Sequence, residues 1–462
     1  MIEQSKAKSN IFTLMLALLA ACVAFQLNAS MLSPVLVTIA KELGTNDAAV
    51  GLSQTSFFTA AALFSLFLPR LSDIKGRKKV LTGMLLIMTT GTVLAAIAPN
   101  IEVLYAARII QGVSGPVVPL CLIMLSYEVK DVKQYGMLMG IITAVNGGIA
   151  GVDAIAGGFL ATYFGFRSVF WVIAVVAAIS TFCVHRFASE SKPSEGTKMD
   201  WLGVLLIVLT IAALLLALNE AGKLGNANWL VISGLTLFAI FCFFLFWQVE
   251  KSNKQPLVTT NHLKKRATWA LLLTTTLTMT GVFAIVNGLV MSIAQNHEIG
   301  FGLEADWASL IFLTPYALIG WFVGPFSGRL APTMGYNKVL KLGLVGCIIG
   351  ILLIMFYGIH SLPILSVGVI VLGIFYAGMA NIILNGLGVV LSPAENPGFL
   401  PGMNAGAFNL GAGLSFALLP AIQMMNGNSM DGYFNGMLLG LIITILALLC
   451  SFLIPRPTNA EV

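Results

Sequence analysis

Pro69-Arg70-Leu71-Ser72-Asp73-Ile74-Lys75-Gly76-Arg77-Lys78-Lys79 is a short basic loop set between two apolar runs, each long enough to cross a bilayer. The pattern returns. Gly328-Arg329-Leu330, Gly335, Lys338, Val339 and Leu340 lie 259 residues after Pro69-Arg70-Leu71, Gly76, Lys79, Val80 and Leu81. A basic loop between spans, occurring twice at one offset, describes a duplicated membrane protein.

Composition agrees. Of the 462 residues, 58% are hydrophobic and only 10% charged, with a mean hydropathy of +0.93, so the chain cannot present an ordinary water-facing surface. A helix needs roughly 20 apolar residues to cross about 30 Å of hydrocarbon. About fourteen runs qualify, near 11–40, 48–69, 80–98, 102–126, 136–162, 167–188, 201–219, 229–248, 267–295, 305–327, 338–358, 362–390, 402–425 and 432–455. The expected fold is therefore all-α and polytopic. Because the offset carries the first run onto the ninth, it comprises two six-helix bundles related by pseudo-two-fold symmetry, 1–190 and 267–462. The linker, 191–266, adds two extra transmembrane helices, which carry almost nothing polar beyond Asn219 and Gln248 and read as packing or lipid-facing elements.

A formal charge of +6 would point a soluble protein toward an anionic partner. Here topology accounts for it. With a cytoplasmic amino terminus, about 21 of the 25 Lys and Arg fall on the inner side; Lys41, Arg167 and Lys223 fall outside, and Arg108 lies within a span. We therefore expect a multi-pass protein of the cell inner (cytoplasmic) membrane with both termini cytoplasmic, in contact with the lipid bilayer and with no nucleic acid. Cys22, Cys121, Cys183, Cys242, Cys347 and Cys450 all fall within spans and lack metal-ligand spacing, as reduced packing residues do. Leu19-Ala20-Ala21-Cys22 resembles a lipoprotein cleavage site, but the apolar run continues past Cys22 and its removal would destroy the first member of the repeat. With no phosphate-binding glycine loop, zinc-ligand cluster or nucleophile triad, we expect no metal, no cofactor and no enzyme activity.

The loop and its flanks resemble the signature between the second and third spans of the major facilitator superfamily: Gly, three residues, Asp, two residues, Gly-Arg-Lys. Asp73, Gly76, Arg77 and Lys78 match, while Pro69 stands at the first Gly; in the second copy Pro332 replaces the Asp. Gly76 permits a tight turn, and the Asp73 carboxylate can sit near a helix amino terminus or pair with a cation. The expectation is an inner gate built from Arg70, Asp73, Gly76, Arg77 and Lys78, against the alternative that these cations are only a topology signal. In the fourth run, Arg108-Ile109-Ile110-Gln111-Gly112-Val113-Ser114-Gly115 resembles the Arg-x-x-Gln-Gly pattern of the same superfamily, whose arginine is linked to proton coupling. An unpaired Arg at mid-bilayer costs about 2.5–3.5 kcal/mol on insertion scales, so Arg108 should face a partner or a wet cavity, or else snorkel to the outer interface.

The fifth run holds Gly140, Gly147, Gly148, Gly151, Gly157 and Gly158, which with Gly112 and Gly115 of the fourth are candidates for close helix approach. Asp153 lies among them, on one face with Asn146 and Gly157. An isolated buried carboxylate favours its protonated form and can carry a proton, whereas a neighbouring cation keeps it ionised. Three roles stay open for Asp153: proton coupling together with Arg108, a static ion pair with Arg108, or direct solute recognition. The uncharged candidates for a solute cavity are Asn28, Gln111 and Asn146 in the first half and Asn287, Asn381, Asn385, Asn404 and Asn409 in the second, with interhelical packing as the alternative for each.

The resemblance covers nearly the whole chain. It is greatest to the 14-span drug:proton antiporters, the family of tetracycline and quaternary-ammonium exporters, and includes Met199-Asp200-Trp201-Leu202-Gly203, similar to the Phe-Asp-Trp-x-Gly opening of their first linker helix. Two departures stand out. Asp153-Ala154 occupies the place of an antiporter Gly-Pro, and Leu27-Asn28-Ala29-Ser30 the place of Leu-Asp-x-Thr. The resemblance implies a monomeric, proton-coupled multidrug antiporter working by alternating access on a small-molecule substrate. The departures keep a second reading open, a proton-coupled symporter that takes up a small polar metabolite.

Overall fold

A computed structural model describes residues 2–129, 131–191, 198–221, 227–253, 256, 260–392, 399–425 and 427–456. The chain is helical throughout these residues. We number the long helices α1 (Ile11–Glu42), α2 (Asp47–Lys75), α3 (Arg77–Ala96), α4 (Ile101–Glu128), α5 (Val132–Phe164), α6 (Phe166–Phe187), α7 (Trp201–Leu218), α8 (Trp229–Ser252), α9 (Arg266–Gln295), α10 (Ala305–Ala331), α11 (Tyr336–His360), α12 (Leu362–Val390), α13 (Leu400–Met424) and α14 (Met430–Ser451). Among the described residues thirteen meet the length and apolarity needed for a crossing. The fourteenth, α5, contributes a shorter described apolar stretch, Ile149–Phe164, at the end of a 33-residue helix.

The duplication is written in the backbone. Gly76 adopts φ 101° and ψ 132° between α2 and α3, and Gly335 adopts φ 94° and ψ 129° between α10 and α11. Only glycine enters that region without Cβ strain. Helices α3 and α11 start on the next residue, Arg77 and Tyr336, again 259 positions apart.

Burial separates central helices from peripheral ones. Within its most apolar stretch α9 is 83% buried and α2 72%, whereas α8 is 17% buried and presents Trp229, Leu230, Leu237, Phe241 and Phe244 outward. In a bilayer those side chains meet acyl chains, so the exposure carries no hydrophobic penalty. Helices α7 and α8 pack on each other through Leu206, Ile207 and Phe246 and rest against Leu63 and Leu66 of α2 and Met403 of α13.

Proline and glycine shape the cores. Pro34 lies in a tight 3-10 turn, Ser33–Val35, that bends α1, and a similar turn at Gly112–Ser114, followed by Pro116, bends α4. A Cβ on Gly112 would lie 2.4 Å from Ala60 Cβ, and one on Gly115 2.3 Å from the Ala61 carbonyl oxygen, so these glycines seat α4 against α2. Gly115→Val is accordingly expected to destabilise the fold by about 1–3 kcal/mol through overpacking. A lowered unfolding midpoint in detergent checks this; an unchanged midpoint would refute the contact.

The halves meet along two seams, both tightest away from the basic loop. At one, Thr55 of α2 donates to the Gly413 carbonyl of α13 (2.8 Å), and Phe58, Phe283 and Phe416 form an aromatic plug with ring centroids 5.5–6.2 Å apart. At the other, Thr314 of α10 donates to the Gly151 carbonyl of α5 (3.1 Å), and a Cβ on Gly158 would fall 2.5 Å from Ser309 Oγ. Toward the basic end α2 and α13 diverge. A Cβ on Gly51 would lie 2.6 Å from the Phe416 carbonyl oxygen and one on Gly413 2.8 Å from Thr59, but one on Gly406 only reaches 3.9 Å from Ala62.

Candidate functional site

Arg108 is fully buried, and its surroundings explain how a cation is tolerated there. The first segment of α1 ends at Ser30, so the Asn28 carbonyl is among those left without an intrahelical partner. Both terminal nitrogens of Arg108 donate to it at 3.3 Å. They also reach Gln111 Oε1 on the same helix (2.7 Å) and Gln54 Oε1 on α2 (2.5 Å), while the guanidinium lies 4.2 Å from the centre of the Phe57 ring. Hydrogen bonds to a charged group contribute about 1.5–3 kcal/mol each, and together with the ring face they offset a desolvation cost of several kcal/mol. The network closes on itself: Gln111 donates to Thr92 Oγ1 (3.0 Å), which sits 3.5 Å from Asn28 Oδ1.

This placement corrects two expectations. Arg108 does not snorkel, and no ion pair joins it to Asp153. Rise per residue puts the two at similar depth, but their side chains point to different neighbours. Asn28 and Gln111, expected to line a cavity, are instead wholly buried partners of the Arg108 cluster. Gln54 is the residue sequence reasoning missed; its signal was the only amide of the span, within the polar stretch Ser53-Gln54-Thr55-Ser56.

Asp153 is 2% exposed on α5. Its Oδ2 accepts a short hydrogen bond from Ser30 Oγ, and Gln26 Nε2 donates to the same hydroxyl at 3.0 Å. Oδ1 is buried without a hydrogen-bond partner. One helical turn on, Gly157 lets α5 touch α1: a Cβ there would lie 2.3 Å from the Met31 carbonyl oxygen. The carboxylate is thus held by a hydroxyl and, among the described residues, by no cation. Ser30 belongs to this site and went unassigned, although it closes the Leu27–Ser30 motif. Asn146, Gly147 and Gly148 lie outside the described residues as regards their side chains and packing.

The candidate site residues of the second half are all amides. Asn287 accepts from Ser33 Oγ of α1 (3.2 Å) and donates to the Phe283 carbonyl, tying α9 to the opposite half. It sits in a π-helical turn, Ile285–Val290; similar turns occur at Ser309–Leu313 and Gly373–Ala380. Such bulges open the helix ladder and recur at functional sites. Asn385 is exposed and donates to Asn381 one turn earlier (3.2 Å between side chains). Asn409 is half-buried. Asn404, by contrast, is fully committed to packing: it accepts from Thr275 of α9 (2.7 Å) and donates to the Leu384 carbonyl of α12 (3.1 Å).

At the basic loop, Asp73 Oδ1 pairs with Arg77 at 2.8 Å and 3.2 Å, and the Arg77 guanidinium lies 3.8 Å from the Tyr127 ring centre. Glu190, which carries no sequence motif of its own, accepts from the backbone N–H groups of Lys78 and Lys79 (3.0 and 3.1 Å) and neutralises the start of α3. A Cβ on Gly76 would lie 2.5 Å from the same carboxylate. Arg70 donates to the carbonyls of Lys198 (2.9 Å) and Pro256, holding both ends of the linker to α2. These contacts of the expected gate stay within the first half and the linker.

The chain matches the Major Facilitator Superfamily over residues 17–420. It is 52% identical to the uridine/deoxyuridine transporter of Lactococcus lactis subsp. cremoris, with 100% of this chain and 98% of that protein covered. It is 25% identical to the multidrug resistance protein Stp of Mycobacterium tuberculosis, over 79% and 67% of the two chains. Among solved structures, the nucleoside transporter NupG matches with a TM-score of 0.64 at 15% identity (95% of this chain, 98% of that one). A POT family transporter in complex with 5-aminolevulinic acid matches with a TM-score of 0.69 at 12% identity (95% and 96%).

Proposed function

Because the chain belongs to the Major Facilitator Superfamily, a family of transporters, we propose that it takes up a nucleoside of the uridine class across the bacterial inner membrane, by alternating access coupled to protons. The observation carrying this reading is the full-length 52% identity to a uridine/deoxyuridine transporter. Drug export has only relatives near 25% identity behind it. The uncharged candidate residues of the second half suit such a solute, since amides such as Asn287, Asn381, Asn385 and Asn409 offer both donors and acceptors to a uracil ring and sugar hydroxyls. Asp153, buried and with no cation beside it among the described residues, is the group we assign to proton coupling, with Arg108 organising the helices around it. Both termini are assigned to the cytoplasm by the charge distribution, and one chain suffices for a transport cycle.

The test is flux in proteoliposomes. An imposed proton gradient is expected to drive labelled uridine above its equilibrium level, with unlabelled deoxyuridine competing. No uridine flux, together with gradient-driven movement of a quaternary-ammonium dye, would overturn the reading in favour of export.

A further inference from the structure

Asp47 opens α2 at the end remote from the basic loop, and a span read as 48–69 leaves it outside the membrane. The structure turns it inward. Helix capping does not explain this, because Asn46 already caps α2 by accepting from the Ala49 N–H at 2.9 Å. The Asp47 carboxylate instead crosses to the other half, where Oδ2 accepts from Ser292 Oγ of α9 and shares a pocket with Gln423 of α13. Ser292 in turn lies 2.6 Å from the Tyr433 hydroxyl of α14. One acidic side chain of the first half is thereby joined to α9 and, through Ser292, to α14 of the second. Close by, Gln295 Nε2 donates to the Pro34 carbonyl (3.1 Å), another bond between the halves.

The cluster lies beside the Phe58–Phe283–Phe416 plug, at a small cavity of about 20 Å³ walled by Leu36, Leu289, Phe416 and Pro420. The basic end has no equivalent bridge among the described residues, since Asp73 pairs with Arg77 of its own half. Opening the cleft on the plug side requires the bond of Asp47 to Ser292 to break.

We propose that Asp47 is the latch of this far gate, a positioning residue that sets the resting preference for a cleft open toward the basic end. Its partner is a hydroxyl group of the opposite half, so it acts by holding α2 to α9 and not by touching the solute. The role is independent of which solute is carried.

A thiol reporter reads the gate without any substrate. Leu289→Cys places the reporter at a position 1% exposed in the closed seam, with the half-buried Cys183 and Cys450 replaced by alanine. In detergent, where a maleimide reaches both faces, Asp47→Ala and the milder Ser292→Ala are each expected to raise labelling at least about tenfold, the shift that 1.4 kcal/mol brings. The double variant should add little, because both substitutions cut one bond. Solute offered from the plug side should show a lowered KM with no gain in kcat, since the competent state no longer has to be recruited. Unchanged labelling in both single variants overturns the latch, even where transport is lost. Raised labelling with an unaltered KM also overturns it, because the seam would then loosen without shifting the resting state.

Discussion

Asp153→Asn is expected to abolish uphill accumulation while leaving solute exchange intact. A gradient of one pH unit can sustain about tenfold accumulation per coupled proton; the variant should fall to a ratio of one. The amide keeps an oxygen to accept from Ser30, and its NH₂ replaces the partnerless Oδ1, so the fold has no reason to suffer. Counterflow of labelled against unlabelled nucleoside should persist, because exchange needs rocking of the halves but no net proton movement. Measuring accumulation and counterflow in the same proteoliposomes separates the alternatives. Loss of both with an unchanged unfolding midpoint would make Asp153 a solute ligand, and loss of neither would remove it from the mechanism.

Arg108→Lys is the second large effect. If the cation mattered only as a charge, lysine would serve. The structure requires a fork: the guanidinium simultaneously serves the α1 carbonyl of Asn28, Gln54 of α2 and Gln111 of α4, and lies on the Phe57 ring. A lysine ammonium on a flexible stem cannot reproduce that geometry. Losing two charge-assisted bonds at about 1.5–3 kcal/mol each implies a fall in transport of roughly 100-fold or more, with a lower unfolding midpoint. Arg108→Gln removes the buried charge together with its desolvation cost, so its midpoint should lie above that of the lysine variant even though transport is equally poor. Transport within threefold of the parent in Arg108→Lys would contradict the fork.

The fold was legible because its determinants are local. Apolar run lengths mark the helices, and Gly76 and Gly335 mark one turn repeated. Arg108 and Asp153 were legible as polar residues in apolar runs, yet their partners were not. Ser30 and Asp153 are 123 positions apart, and Gln54 and Arg108 are 54 apart. Rise per residue gives the height of a side chain in the membrane but not the direction it faces, and direction decided that Arg108 turns to Gln54 and not to Asp153. Asp47 escaped for a related reason: hydropathy ends a span at the first charge, while the fold covers that charge with another helix. Asn381 and Asn385, one turn apart on one helix, were read correctly as neighbours because that relation is local.

The helix pair α7–α8 has a consequence in terms of parity. Six crossings return a chain to the side on which it began, and two more do so again, so the second copy enters the bilayer with the same polarity as the first. A single inserted helix would have inverted it, sending Arg329, Lys338 and Lys341 to the face opposite Arg77, Lys78 and Lys79. An even insertion is thus neutral for topology, and selection was free to keep, lengthen or discard the pair without disturbing the two bundles it separates.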